Sequence, residues 1–284
     1  MQYIKVVLVI LISLITYSCF SAKGLPIKEV AKDNSKQVSD VDSMTADSTK
    51  LSSEIKDDVQ TDYVTMTPMV DHSEWDKLLK KYVAENGDVN YQGFKNDREA
   101  LDNYINYLAT KVPAKDWSVQ EQLAYFINVY NANTIQLIID NYPTKSIKDI
   151  SNPWLKNRLK IGDEDYSLAD IENGILRKMN EPRIHFAINC ASVSCPKLLN
   201  TAYTANNVEA LMEKATADFI NNNDKNQLAQ NQLQLSKIFK WYESDFTSQG
   251  SLVDYINQYA NIDISKDAKI DYIEYNWALN EQNR

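Results

Sequence analysis

Arg183-Ile184-His185-Phe186-Ala187-Ile188-Asn189-Cys190-Ala191-Ser192-Val193-Ser194-Cys195 holds one of the two histidines and two of the three cysteines in a chain of 284 residues. Its first part, Ile184 to Ile188, is a nearly continuous apolar run of strand length and is predicted to be a buried strand. Helical patterns lie on both sides of it, so the expected class is α+β. Strand alternation would put His185, Ala187 and Asn189 on one face and Phe186, Ile188 and Cys190 on the other. His185 and Cys190 could then meet only if the chain turns at Asn189 or Cys190, which Asn and the small pair Ala191-Ser192 allow.

On the N-terminal side, Ser73 to Ala84 places Trp75, Leu78, Leu79 and Tyr82 on one helical face and ends at Asn86-Gly87. Val89 to Tyr91 reads as an extended piece. Arg98 to Leu108 is a second amphipathic helix, stopped before Pro113. Ser118 and Glu121 have capping-box spacing and open a long helix through Leu123, Phe126, Tyr130 and Ile138, closed by Pro143. Arg158 to Ile161 and Tyr166 to Leu168 flank Gly162 and acidic residues as a hairpin would. A helix is expected from about Leu168 to Met179, with Ser167 and Asp170 at a capping spacing. Beyond the reactive stretch, Val208 to Ile220 is helical, Gln232 to Leu235 a strand, and Ser251 with Asp254 caps a helix through Tyr259. Ile270 to Leu279, rich in aromatic and β-branched residues, is expected to be a final strand. These elements predict one domain over 73–284, with several amphipathic helices packed on a small, mainly antiparallel sheet.

The N-terminus carries the localisation signal. Met1 to Lys5 is a short charged region and Val6 to Ile15 an apolar run too short to span a bilayer, so 1–18 reads as a signal peptide. Thr16-Tyr-Ser-Cys19 resembles the lipobox of bacterial lipoproteins, which makes Cys19 the lipidation site and the membrane a partner through a lipid anchor. Ser21, rather than Asp, at the second position after that cysteine points to the outer membrane of the cell envelope. The remainder of 19–72 is poor in aromatics and rich in Ser, Thr, Asp and Lys, the composition of a disordered tether. The formal net charge of −9 argues against nucleic acid as a partner.

A thiol is a nucleophile or metal ligand only as thiolate, and a neighbouring imidazole favours that form. Four readings of Cys190 and Cys195 are open: a catalytic pair with His185, a structural disulfide in an oxidising compartment, metal ligation, or inert burial. The spacing His185-x4-Cys190-x4-Cys195 lacks the tight pairing of structural zinc sites, and neither a metal nor another cofactor is expected. Cys195 precedes Pro196, a favoured first helical residue, so it is expected to cap a short helix through Leu199 whose positive end would lower its pKa. Glu172, at the apolar margin of its helix, is the acid expected to orient His185, or else a boundary residue paired with Arg177 or Arg183. Asn128 and Asn131, on the long helix, would bind substrate or an oxyanion, or would bond a neighbouring loop's backbone. His72 falls before the patterned domain and reads as incidental. Lys240-Trp241-Tyr-Glu and Tyr275-Asn-Trp277 are the densest aromatic clusters, in the manner of sugar-stacking platforms and of ordinary cores alike.

Several stretches together resemble the family called domain of unknown function 547. They are Asp88 to Tyr91, Phe126 to Ala132, Asp170 to Arg177, Pro182 to Pro196, Leu235 to Phe246 and Tyr275 to Asn280. The resemblance runs from about residue 74 to 280 and implies that Asn128, Asn131, Glu172, Arg177, Arg183, His185, Cys190, Pro196, Trp241 and Asp245 fall on motif positions. Cys195 matches the bacterial form of the motif, where some relatives carry Ser. The helix-plus-antiparallel-sheet plan and the Cys, His and acid inventory are also similar to papain- and transglutaminase-like cysteine enzymes, although here His185 precedes both thiols. Two functions are therefore carried forward. One is acyl transfer on an amide or ester, with Cys190 or Cys195 attacking, His185 moving the proton, Glu172 orienting it, and Asn131 or backbone N–H groups at Cys195-Pro196 holding the oxyanion. The other is a noncatalytic lipid-anchored module binding peptide or glycan through Arg183, His185 and aromatics such as Trp241, with a 190–195 disulfide at the pocket rim. A small molecule is a third substrate class left open.

Overall fold

The computed structural model describes residues 23–30 and 69–282. Helices α1 (Ser73–Tyr82), α2 (Tyr91–Asn96) and α3 (Arg98–Ala109) pack around α4 (Val119–Asp140), which is buried on nearly every side, as an all-round apolar helix must be. Ser118 Oγ accepts the Glu121 N–H at 3.0 Å, but Glu121 Oε1 accepts from the Val70 N–H at 3.0 Å, so the predicted capping box closes on one side only. His72 is not incidental. It is buried at the head of α1, and its Nδ1 lies 2.7 Å from Tyr104 Oη on α3. Residues 23–30, within the stretch read as tether, lie against α4: the Gln122 side chain donates to Pro26 O and accepts from Lys28 N–H, while Leu25, Ile27 and Val30 touch the core.

Two small sheets complete an α+β domain. Strands β1 (Leu159–Ile161) and β2 (Glu164–Tyr166) form the expected antiparallel hairpin, with Gly162 at φ +60° in the turn. After it, Ser167 and Asp170 bond reciprocally as their spacing predicts. The following helical segment is not a regular α-helix. It passes through a π-turn over Asp170–Ile175 and a 3₁₀ turn over Leu176–Met179, a kind of distortion frequent at functional sites.

The predicted strand over Ile184 to Ile188 is instead one turn of helix, α5 (Ile184–Ala187). A short run buried all round has no polar face to reveal its period, so a buried strand and a buried helical turn look alike in sequence. The chain then passes through Ala191 at φ +59° and continues without helix after Pro196, so Cys195 caps nothing. Helix α6 (Val208–Ile220) follows as expected. Strands β3 (Gln227–Ala229) and β4 (Gln232–Ser236) pair antiparallel. Helices α7 (Lys237–Trp241), α8 (Glu243–Phe246) and α9 (Leu252–Asn257) then cross over to β5 (Lys269–Ile273), which lies parallel to β4. The predicted final strand ends at Ile273, and Glu274 to Leu279 continues as a loop apart from a bridge of Leu279 to Ser192.

Apolar side chains form two clusters, one around α4 and one around β4 and helices α6 to α9. Helix α5 lies at their seam: Ile184 and Ala187 belong to the first and Phe186 to the second. His185 and the cysteine loop are thereby held between two packed bodies.

Candidate functional site

The cysteine loop is built by buried amides. Asn131 of α4 donates from Nδ2 to Ala187 O at 3.0 Å and accepts the Asn189 N–H at 2.9 Å, pairing from inside a helix with the backbone that leaves α5. Asn189 in turn donates to Pro196 O at 2.7 Å and accepts the Ala191 N–H at 2.8 Å, which draws 189–196 into a closed loop. Within the loop the two sulfurs lie 2.9 Å apart as free thiols, and Cys190 N–H donates to Cys195 Sγ at 3.0 Å. Ser192 Oγ and Tyr275 Oη each lie 3.3 Å from Cys190 Sγ and 2.9 Å from one another.

That environment divides the two thiols. The hydrogen bond from Cys195, helped by Ser192 and Tyr275, lowers the pKa of Cys190 against the opposing effects of burial and of the Glu172 charge. Burial, with its bond to Cys190, pushes the Cys195 thiol well up. Cys190 is therefore the sulfur that ionises and Cys195 the one that keeps its proton and donates it into a hydrogen bond. Burial also raises the Tyr275 phenol, so it too is a donor at neutral pH.

His185 is almost wholly enclosed. Its Nε2 lies 2.8 Å from Asp245 Oδ2 on α8, and its ring stacks on Tyr242 with centroids 4.0 Å apart. Asp245 also takes a two-pronged bond from Arg177, at 2.6 and 2.8 Å. Burial opposes the charge on Asp245, but the bonds from Arg177 and His185 outweigh it and hold the carboxyl well below its usual range. A carboxylate only accepts, so Nε2 carries the proton toward Asp245 and Nδ1 is the basic nitrogen of the neutral ring. Among the described residues no hydrogen bond joins His185 to either sulfur.

Both groups nevertheless open on one cavity of about 380 Å³, lined also by Tyr130, Glu172, Trp241, Tyr242, Tyr275 and Trp277. Glu172, on the π-turn, accepts O–H bonds from Tyr130 and Tyr242, one on each oxygen. Its predicted contact with His185 is absent: Asp245, 60 residues away in the chain, holds the imidazole instead. Trp241 stands half-exposed at the rim, stacked on Trp277 at 5.8 Å and tilted against Tyr275 at 4.8 Å. The two stretches singled out as aromatic clusters thus meet in one wall.

Other expectations are redirected. Asn128 bonds the backbone of Tyr203 in both directions, and Asn131 is spent on the loop, so both asparagines hold chain rather than substrate. Asn131 is no oxyanion donor, and the Cys195 N–H already donates to Ser192 O. Arg183 lies outside the cavity, in a cluster with Glu181, Glu209 and Glu213, the first of which raises its pKa most. Asp245, Tyr275, Ser192 and Tyr130 are the site residues that residue-by-residue reading missed. All four lie in stretches that carry the family resemblance, Tyr275 also in an aromatic cluster, and Asp245 alone was named as a motif position. Cys19 and the run from Val6 to Ile15 lie outside the described residues, and among the described residues no helix is long and apolar enough to cross a membrane.

A family profile described as "Protein of unknown function, DUF547" matches residues 114–220, the part of the chain from the approach to α4 through the end of α6. It contains the cysteine loop, Glu172 and His185 but stops short of Asp245 and Tyr275. Among curated proteins and among solved structures, nothing matches.

Proposed function

We propose that the cavity at the seam is an acyl-transfer site in which Cys190 is the nucleophile and the His185–Asp245 pair carries the proton. The observation that supports it most is the asymmetry of the thiols: Cys190 is held toward its thiolate by Cys195, Ser192 and Tyr275, on the wall that His185 shares. In the proposed reaction the Cys190 proton passes through a bridging water to His185 Nδ1, the thiolate forms a bond to the acyl carbon of an ester or amide, and the carbonyl electron pair moves to oxygen. The Tyr275 hydroxyl, 3.3 Å from the sulfur, is the donor placed for that oxyanion. The tetrahedral species expels the alcohol or amine, which takes the proton held by His185 Nδ1. Water or a second amine then attacks the thioester, His185 takes its proton, and the thiolate is restored. Substrate or a water bridges His185 and the sulfur during these steps, since catalytic hydrogen bonds commonly tighten only in the bound complex.

The test uses p-nitrophenyl acetate. The expected outcome is an acetyl thioester mapped to Cys190 by mass spectrometry and release of nitrophenolate beyond one equivalent, both lost in Cys190→Ala. Full turnover by Cys190→Ala, or acetylation confined to other residues, would overturn the proposal. One observation favours a second reading. The close approach of the sulfurs, at 2.9 Å, also suits a 190–195 disulfide in a noncatalytic binding module. Thiol titration of the protein from its native compartment separates the two: two alkylatable thiols support acyl transfer and none supports the module. The proposed location is the outer membrane through a lipid on Cys19, which radiolabelled palmitate should mark in the wild type and not in Cys19→Ala.

A further inference from the structure

We propose that the cavity takes an alkylammonium group, seated between the Glu172 carboxylate and the aromatic wall; on the acyl-transfer reading, on which the chemical role of this group rests, it belongs to the substrate. The first argument is charge. Glu172 is 7% exposed, and among the described residues no lysine or arginine forms an ion pair with it or lines the cavity. Arg177 is committed to Asp245 and Asn173 and feels Glu172 only at longer range. A buried carboxylate satisfied by two phenols but lacking a counterion is costly, and a bound cation supplies what is missing. The Cys190 sulfur adds negative character to the same wall once ionised.

The second argument is surface. Trp154, Trp241, Trp277, Tyr130, Tyr242 and Tyr275 line the cavity. Aromatic faces attract ammonium groups, and cages of such faces are the usual receptors for them. This wall already does so from outside: Lys148 Nζ lies 5.3 Å from the Trp277 centroid and Arg177 Cζ 5.3 Å from that of Tyr242, although neither cation lines the cavity. An anionic substrate would meet Glu172 with no compensating base.

There is also a consequence for the nucleophile. The Glu172 charge is among the effects opposing the Cys190 thiolate. An ammonium group against Glu172 offsets that opposition, so the correct substrate itself favours the attacking form of the sulfur.

The experiment titrates the full-length protein calorimetrically with choline and with 3,3-dimethylbutanol, a neutral group of the same shape. Choline is expected to bind about tenfold more tightly or better. The ratio should fall toward one in Glu172→Gln and by several-fold in Trp241→Ala, whose exposed position keeps folding out of the question. Equal affinities in the wild-type protein, or a ratio untouched by both substitutions, would overturn the inference. Nα-acetyl-lysinamide and glycerophosphoethanolamine, compared in the same way, distinguish a peptide from a lipid headgroup as the source, the tighter naming it. Acetylation of Cys190 by the neutral p-nitrophenyl acetate is scored separately. Acetylation without ammonium preference removes this inference and leaves acyl transfer standing, whereas preference without acetylation removes acyl transfer and leaves the ammonium site.

Discussion

Asp245 illustrates how one side chain can organise a site without touching the cavity that the site serves. Its carboxylate is pinned by the two-pronged Arg177 bond, and it receives His185 Nε2 at 2.8 Å, which fixes both the ring orientation and the tautomer. Replacing Asp245 by Asn keeps the shape but can offer an N–H to the ring, favouring the wrong tautomer. The expected result for Asp245→Asn is a fall in kcat for p-nitrophenyl acetate by about 10² or more with KM within a few-fold of wild type. An equal loss in KM alone would mean that Asp245 shapes binding and not proton transfer. His185 and Cys190 were legible as reactive residues because so few of their kind occur. Their partners were not, since Asp245 and Tyr275 come from elements 60 and 85 residues away.

Elements that alternate or show a clear helical stripe were read correctly: α1, α3, α4, α6, the β1–β2 hairpin and the capped α9 stand close to where pattern and caps place them. The failures have two causes, burial without contrast and brevity. The run Ile184 to Ile188 is apolar because α5 is enclosed by two cores, and enclosure erases the period that distinguishes a helix from a strand. The short α2 and β3 were missed for the second reason, being too brief for a period to show. The bend that the strand reading required at Asn189 or Cys190 comes instead at Ala191, at φ +59°, and the Asn131 amide holds the segment that leads into it. Asn131→Ala should therefore leave Ala187 O and Asn189 N–H unpaired in the interior and cost about 2–4 kcal/mol by urea denaturation. A loss under about 0.5 kcal/mol would show that the loop is held by other means.

The fold as a whole contributes a pH dependence through His72. Burial lowers its pKa from 6.5 to about 4, while Tyr104 Oη meets its Nδ1. The native ring stays neutral where the unfolded ring already binds a proton. Stability is thus full above pH 6.5 and is lost as the pH falls from there toward about 4, by an amount on the order of 2–3 kcal/mol. His72→Gln should flatten that part of the stability profile relative to wild type, and identical slopes for the two proteins would contradict the assignment. The same packing that encloses His72 encloses α4, and from α4 the Asn131 amide reaches the segment that leads into the cysteine loop, while Asn128 holds Tyr203, away from the cavity.

The reactivity of Cys190 tests the account most directly. Alkylation by iodoacetamide, followed across pH with Cys190 and Cys195 resolved by peptide mapping, is expected to label Cys190 first, with a midpoint below the ~8.5 of an ordinary thiol. In Cys195→Ala or Tyr275→Phe that midpoint should rise, because each removes a hydrogen bond that holds the thiolate. A Cys190 midpoint at or above the ordinary value, or faster labelling of Cys195, would contradict it.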